Sequence, residues 1–364
     1  MAITTGHFFK NLESSSVYDP RMRLDAGFVN EFIRDVKNID PSVKGAMFRK
    51  GGLTEGQIKK LIQRPAVEVP ETIAALDDGE YQTWGFDRFQ KYITSGLTAL
   101  QSGQVAVCLL AGGEPSFTTP VKECGGVSLL ALRLMHCMDA KHLWVMTTPS
   151  MRDNLDKHMV GISMANKERI KVFEQYEMPA LTPMNNVLFS TKGVPMTMPC
   201  GTGDSAQAML DSGLLDEFIA SGGKYVLFLN LNNVAAGIDP TIIGHHIEKS
   251  YDASSVVTER KPKDVGSTLL WADGAKTFIE DQRLPEEVEI DKEEGMLIDT
   301  GTLLINACEL KNAGLVSWRY LRTRLEIEKT MMVCYRRNNS QWLENLTNVT
   351  HINMPRQMCY KPLR

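Results

Sequence analysis

The stretch "VAVCLLAGG", residues 105–113, decides the fold class. Seven apolar residues run without a polar interruption and then stop at Gly112-Gly113. A strand with one face in water alternates apolar and polar residues, whereas a strand buried on both faces reads as an unbroken apolar run. The same signature recurs in "HLWVMTT" (142–148), "YVLFLNL" (225–231), "SSVVTE" (254–259) and "GTLLINA" (301–307). Helical patterns lie between these runs: "SLLALRLMHCM", "MRDNLDKHM", "SAQAMLDSGLLDEFIASG" and "PTIIGHHIEKSY". Parallel strands need such crossovers, so an open, mainly parallel α/β sheet is expected. Ligands of such sheets bind beyond the carboxyl ends of the strands.

Working outward, residues 1–95 read as a helical N-terminal region and 96–364 as the α/β domain. In "RLDAGFVNEFIRDVKNI" the apolar Leu24, Phe28, Phe32 and Val36 recur about four apart, one helix face. "EGQIKKLIQ" reads as a short helix, and "RPAVEVPETIAALDDGEYQTWG", broken by Pro65 and Pro70, as a connector. The chain has 364 residues and a net charge of −4, which gives no electrostatic footprint for nucleic acid. No apolar run approaches the roughly 20 residues of a membrane helix, and the first residues lack a signal-peptide pattern. Seven cysteines without a C-x-x-C pair fit free thiols in a reducing compartment, so a cytoplasmic location is expected. The sequons beginning at Asn338, Asn345 and Asn348 read as chance matches.

Several places can carry chemistry. The Gly112-Gly113 pair after a strand frees backbone N–H groups to face a ligand, and it also makes an ordinary turn. Lys122 follows nine residues later, either as a phosphate-neutralising point charge or as a solvated surface lysine. In "PCGTGD" (199–204), Gly201 and Gly203 bracket a tight loop with Asp204 or Ser205 as a helix N-cap. "YVLFLNLNNVAAGIDP" ends its strand in three asparagines, suited to a metal, a sugar or an Asn-capped turn. Asn232 is a neutral ligand, however, and hard cations are usually anchored by carboxylates. His245, His246 and Glu248 lack the spacing of a zinc helix. Arg319, Arg322 and Arg324 in "WRYLRTRLEIEK" read as a solvated helix face.

Taken in order, seven segments resemble the UDP-sugar pyrophosphorylases, the UTP–sugar-1-phosphate uridylyltransferases. They are "ITSGLTALQSGQVAVCLLAGG", "LWVMTTPSMRDN", "VFEQYEMPAL", "MPCGTGDSAQAMLDSGLLDEFIASGGKYVLFLNLNN", "DPTIIG", "VVTERKPKDVGS" and "INMPRQMCYKPLR". The resemblance implies a Rossmann-like, GT-A-like nucleotidyltransferase fold, a mixed sheet flanked by helices. It implies UTP or a related nucleotide and a sugar 1-phosphate as partners, Mg2+ as cofactor, and release of pyrophosphate. Carried over by position, Leu110, Ala111, Gly112 and Gly113 lie against the nucleotide, Gln175 reads uracil and Gly201 lies under the base. Lys122 and Lys361 face the phosphates as catalytic cations. Asn232, Glu259, Arg260 and Lys261 fall on the sugar-phosphate side.

The sequence also departs from the family. The loop continues into Glu114-Pro115 where the family usually carries a Gly-Thr-Arg or similar stretch. Two like charges about 4 Å apart at an effective dielectric of about 20 repel by roughly 4 kcal/mol, about three powers of ten in affinity. Asn232 stands where the family has its metal-holding aspartate, and Arg260 where it has the sugar-side lysine, with Lys261 able to substitute. Three residues follow Lys361, so the C-terminal β-rich domain of the UDP-glucose branch is expected to be absent. Two functions follow: a uridylyltransferase, or a catalytically silent relative acting as a nucleotide-binding, regulatory or structural protein. An active enzyme with altered donor choice is a third.

Overall fold

Alternate residues of the central strands enter two different cores. Along Val105–Leu110, Ala106, Cys108 and Leu110 join a cluster with Trp144, Phe228 and Trp342. Val105, Val107 and Leu109 face the other way, toward Leu130, Leu134 and Ile243. All six residues are buried, so both faces of the strand are covered. That is the physical content of the unbroken apolar run.

The computed structural model describes residues 73–74, 84–112, 128–148, 152, 155, 169–175, 177–179, 197–272, 275–281, 295–312, 319–324, 331–336 and 338–362. In chain order these form β1 (Ile73–Ala74), α1 (Phe86–Ser102), β2 (Val105–Leu110), α2 (Leu129–His136), β3 (His142–Thr147) and β4 (Ile170–Glu174). Next come β5 (Glu177–Pro179), β6 (Thr197–Pro199), α3 (Ser205–Asp211), α4 (Leu214–Ala220), β7 (Tyr225–Asn230), α5 (Pro240–Lys249) and β8 (Ala253–Glu259). The last are β9 (Ser267–Ala272), β10 (Ala275–Glu280), β11 (Leu297–Asn306), α6 (Ala307–Asn312), β12 (Arg319–Arg324), β13 (Met331–Arg336), β14 (Val349–Asn353) and α7 (Arg356–Cys359).

Ten strands make one sheet, in the order β1-β9-β11-β7-β2-β3-β4, with β10 on β9 and with β8 and β14 beyond β11. β2 is parallel to β3 and β7, β3 to β4, and β14 to β8. β11 is antiparallel to β7, β8 and β9, and β9 is antiparallel to β1 and β10. The sheet is therefore mixed, as the family resemblance implies, and not mainly parallel as the apolar runs alone suggest. The chain reaches β11 after the β9–β10 hairpin, and it enters the sheet running the other way.

Three local readings change. "SAQAMLDSGLLDEFIASG" is two helices, because Gly213 takes φ 75° between them. Arg319–Arg324 is a strand paired with Met331–Arg336, not a helix face. The charge spacing alone does not report that cross-strand partner. Ile73–Ala74, inside the expected connector, pairs with β9. The expected helix at "MRDNLDKHM" lies outside the described residues except for Arg152 and Leu155, both helical. The N-terminal helices also lie outside them, as far as residue 83 apart from β1.

Helix α1 runs unbroken through position 95 and lies against α5. A Cβ on Gly96 would strike the backbone carbonyl of Pro240, and one on Gly244 would strike that of Tyr92. The two helices touch backbone to backbone at these glycines, a contact no larger residue permits. Among the described residues no helix is long and apolar enough to cross a membrane.

Candidate functional site

Six strands, β4, β3, β2, β7, β8 and β14, run in one direction and end at one edge of the sheet. Ligand sites of open α/β sheets form beyond such ends. Most of the described candidate residues follow one of these ends, and they fall into two halves.

The first half is built by β2, β3 and β4. The N–H of Ala111 donates to the Met146 carbonyl at 2.9 Å, and the N–H of Gln175 to that of Thr147 at 2.9 Å. Gln175 is buried, and its Nε2 donates to the Gly112 carbonyl at 2.6 Å. A Cβ on Gly112 would collide with this amide, so glycine is required by space. Among the described residues nothing donates to the buried Oε1 of Gln175. Leu110, in register with Asn230 of β7, joins this half to the next. Gly201 takes φ 94° ahead of a 3-10 turn over Thr202–Asp204. Thr202 Oγ1 donates to Asn339 Oδ1 at 3.0 Å and receives the Asn339 N–H at 3.1 Å, which pins this loop. Asp204 occupies the cap position of α3 in helical geometry, and its side chain does not cap the helix.

In the second half, the asparagine cluster after β7 folds as an Asn-capped turn, with the Asn232 N–H donating to Asn230 Oδ1 at 3.0 Å. Asn232 is exposed beyond it. The next residue is the hub. Buried Asn233 donates from Nδ2 to the carbonyls of Thr300 at 2.9 Å and Cys359 at 2.7 Å. Its Oδ1 accepts the N–H groups of Lys361 at 2.9 Å and Ala235 at 3.3 Å. The Val234 N–H donates to the Lys361 carbonyl at 3.0 Å. Asn232 and Lys361, far apart in sequence, are thereby held side by side. Fully buried Arg133 on α2 braces the same loop, Nη1 donating to the carbonyls of Val234 at 3.3 Å and Ala236.

The loop after β8 divides its cations. Arg260 is engaged inward: Nη1 donates to Thr268 Oγ1 at 2.7 Å and Asp281 Oδ1 at 2.8 Å. Its Nη2 donates to Asp281 Oδ2 at 2.9 Å and the Asp264 carbonyl at 2.6 Å. Glu259 and Lys261 are exposed. Arg356 clamps this loop to the C-terminal segment. Its two terminal nitrogens donate to the two oxygens of Asp264, each at 2.7 Å, and Nη1 also reaches the Glu259 carbonyl at 3.0 Å. Its guanidinium lies 4.6 Å from the centre of the Tyr360 ring. Burial pushes the Asp264 carboxyl up, but hydrogen bonds from Arg356 and the Lys261 N–H, with the charges of Arg356 and Arg260, hold it below the usual range.

Asp299 and Gly301, which the sequence reading passed over, reach the same edge on β11. Gly301, at φ 71°, sits against Asn230, and a Cβ there would clash with that side chain. Its N–H donates to Asp299 Oδ1 at 2.8 Å. Burial pushes the Asp299 carboxyl up to about 6. The available signal was "DTG", a turn-forming cluster at the start of an apolar run. Arg356 and Asp264 gave none, since their pairing spans 92 positions. Gly113, Glu114, Pro115 and Lys122 lie outside the described residues.

The histidines serve packing. His246 bonds Ser254 Oγ at 2.8 Å and Asn306 Oδ1 at 3.0 Å, and His245 stacks on Trp84 with ring centres 4.4 Å apart. Burial pushes both down to about 4. Among the described residues no three His, Cys, Asp or Glu side chains gather to hold a metal.

The fold recurs in known proteins. The UDP-glucose phosphorylase of Trypanosoma brucei superposes with a TM-score of 0.70 at 17% identity, over 93% of this chain and 76% of that one. A variant UDP-glucose pyrophosphorylase from Leishmania major in complex with UDP-glucose gives 0.69 at 15% identity, over 94% and 77%. The UDP-N-acetylglucosamine diphosphorylase 1 of Arabidopsis thaliana is 24% identical over 262 residues, 64% of this chain and 50% of that protein. The chain thus spans about half the length of such relatives. The sequence profile of the family described as UTP–glucose-1-phosphate uridylyltransferase matches residues 143–358. Apart from β2 and the first residue of β3, the strands that build both halves of the edge fall within that match, and the chain belongs to this family of UDP-sugar pyrophosphorylases.

Proposed function

We propose that the chain transfers a uridylyl group from UTP to a sugar 1-phosphate, forming a UDP-sugar. One observation carries this reading: a single sheet edge holds a buried amide acceptor at Gln175 at one end and exposed lysines, Lys261 and Lys361, at the other. An orphaned buried acceptor costs about 1–3 kcal/mol, and the N–H of a bound pyrimidine base relieves it. In this reading Leu110, Ala111, Gly112 and Gly201 line the base, and the family resemblance assigns Gly113 to the same side.

In the reaction an oxygen of the sugar 1-phosphate attacks the α-phosphorus of UTP. The new P–O bond forms as the bond to the bridging oxygen breaks, and pyrophosphate leaves with that electron pair. The protein's part is positioning and charge neutralisation. In this reading Lys361 neutralises the triphosphate, and the family resemblance assigns Lys122 the same role. Lys261 faces the sugar phosphate in place of Arg260, whose guanidinium is taken up by Asp281. Mg2+ when bound neutralises phosphate charge, and it commonly keeps several waters with one or two protein carboxylates. The exposed side-chain oxygen of Asn232 fits such a cation as one neutral ligand. The free thiols at Cys108, Cys137, Cys200, Cys308 and Cys359 suit the reducing cytoplasm, where we place the protein.

The second reading, a silent nucleotide-binding relative, draws on Arg260 and Asn232: one cation is locked inward and the metal position is neutral. Calorimetric titration with UTP and UDP-glucose, with and without Mg2+, followed by pyrophosphate release from a panel of sugar 1-phosphates, separates the two. Binding with release supports the transferase. Binding without release supports the silent relative, and no binding of either ligand refutes both.

A further inference from the structure

We propose that Arg133 of α2 is a positioning residue for Lys361, acting through the turn that follows β7. The inference rests on the uridylyltransferase reading for what Lys361 does, and not for where Arg133 holds it.

Three observations carry it. First, Arg133 is a cation buried without a counter-charge. Its side chain is fully buried, and the titratable group that acts on it is the Cys137 thiol, not a carboxylate. Its Nε and Nη2 find no acceptor among the described residues. Burying an unpaired guanidinium is costly, and apolar side chains of similar volume often replace buried ions with no loss of stability. Leu129, Leu130 and Leu134 already pack α2 into one core with Leu231 and Ala236. Attaching the helix therefore does not call for an arginine.

Second, the hydrogen bonds that Arg133 does make converge on one turn. Nη1 donates to the carbonyls of Val234, at 3.3 Å, and Ala236. The N–H groups of the turn are engaged elsewhere: that of Asn233 with the Asn230 carbonyl at 3.3 Å, and that of Ala236 with the Asn233 carbonyl at 3.1 Å. Arg133 satisfies the acceptor side, so two inward carbonyls keep a partner.

Third, Val234 is one hydrogen bond away from Lys361. Its N–H donates to the Lys361 carbonyl at 3.0 Å, while its own carbonyl accepts from Arg133. Asn233 takes the Lys361 N–H at 2.9 Å and bridges antiparallel to Pro362. The backbone that carries the exposed Lys361 side chain is thus fixed to the turn, and Arg133 fixes the turn to α2. Without Arg133 the two carbonyls gain by turning toward water, and that movement carries Lys361 with it.

The test uses the full chain with Arg133→Met, a long side chain without charge. Hydrogen–deuterium exchange is read at residues 232–237, at 359–364 and, for reference, in α1. Pyrophosphate release is measured with UTP and a panel of sugar 1-phosphates. The variant's thermal melt is expected to match or exceed the parent's. Exchange at 232–237 and 359–364 is expected to quicken on the order of tenfold, with α1 unchanged. kcat is expected to fall on the order of tenfold or more, while KM for UTP stays near the parent's value. Arg133→Lys, which keeps a donor for the carbonyls, should recover part of both. Unchanged exchange at 359–364 overturns the proposal, and so does faster exchange with kcat unchanged. A lower melt with exchange rising in all three segments also overturns it, because that is a general loss of packing. A parent that releases no pyrophosphate removes the transferase reading instead, and the exchange pattern alone then upholds or overturns the hold of Arg133 on Lys361. Should Arg133→Met fail to fold, Arg133→Gln, whose shorter amide falls short of the two carbonyls, is read by the same criteria.

Discussion

Arg356→Ala is the most informative single perturbation of the edge. The Asp264 side chain is fully buried, while Arg356 is about a fifth exposed. Truncation removes two short charge-assisted hydrogen bonds and leaves a carboxylate without its main counter-charge. Breaking a buried pair in this way costs about 3–5 kcal/mol. The Lys261 N–H still donates to Asp264 at 2.8 Å, which places the cost near 3 kcal/mol. For a chain of 364 residues that corresponds to a Tm lower by about 4 °C. Urea unfolding and calorimetry at pH 7 measure it. The pH dependence adds a sign. Asp264 is held below its ordinary value, so its contribution is complete above the unfolded pKa and fades as pH falls through the folded one. In Arg356→Ala burial dominates and the carboxyl titrates higher, so the variant's deficit should shrink as pH drops toward 4. The double variant Arg356→Ala/Asp264→Ala should fall short of additivity by about 1–3 kcal/mol. A deficit under about 1 kcal/mol, the range of a surface pair, or strict additivity, refutes the clamp.

Lys361→Ala and Lys122→Ala are each expected to abolish pyrophosphate release, and Lys361→Ala to leave Tm unchanged because the side chain is exposed; retained release in both removes the phosphate assignment. Asn232→Asp should strengthen Mg2+-dependent turnover, read as a lower half-saturating Mg2+ concentration. Gly96→Ala drives a methyl into the Pro240 carbonyl and should destabilise by about 1–3 kcal/mol in urea titrations, despite the roughly 1 kcal/mol alanine gains in a helix; a stabilised variant contradicts the α1–α5 contact. Burial pushes His246 down to about 4, outweighing its hydrogen bond to Asn306 Oδ1 and the charge of Asp252. Its native pKa lies below the unfolded one, so stability is full above about pH 6.5 and falls between there and pH 4. A Tm–pH curve in which His246→Gln has the same slope as the parent contradicts this.

Much of the framework was legible because burial on both faces leaves a local mark. The five expected strands were found at β2, β3, β7, β8 and β11, each an apolar run in the sequence. The asparagine turn was legible for a similar reason, since an Asn side chain capping its own turn is a short-range event. β4, β9, β10 and β14 were missed, being mixed in character or flanked by polar residues. The arginine-rich β12 was misread because a strand's partner is not written in its own charge pattern.

By itself the sequence determined the α/β class, five of the sheet's strands and, through seven ordered segments, the family. Only the tertiary structure decided which way β11 runs, which of Arg260 and Lys261 turns outward, and which groups join Asn232 at its turn. The reason is one of range. Apolar runs and turn caps act over a few residues, whereas Asn233 meets Thr300 and Cys359 across 67 and 126 positions. Contacts at that separation exist only once the sheet has closed around them.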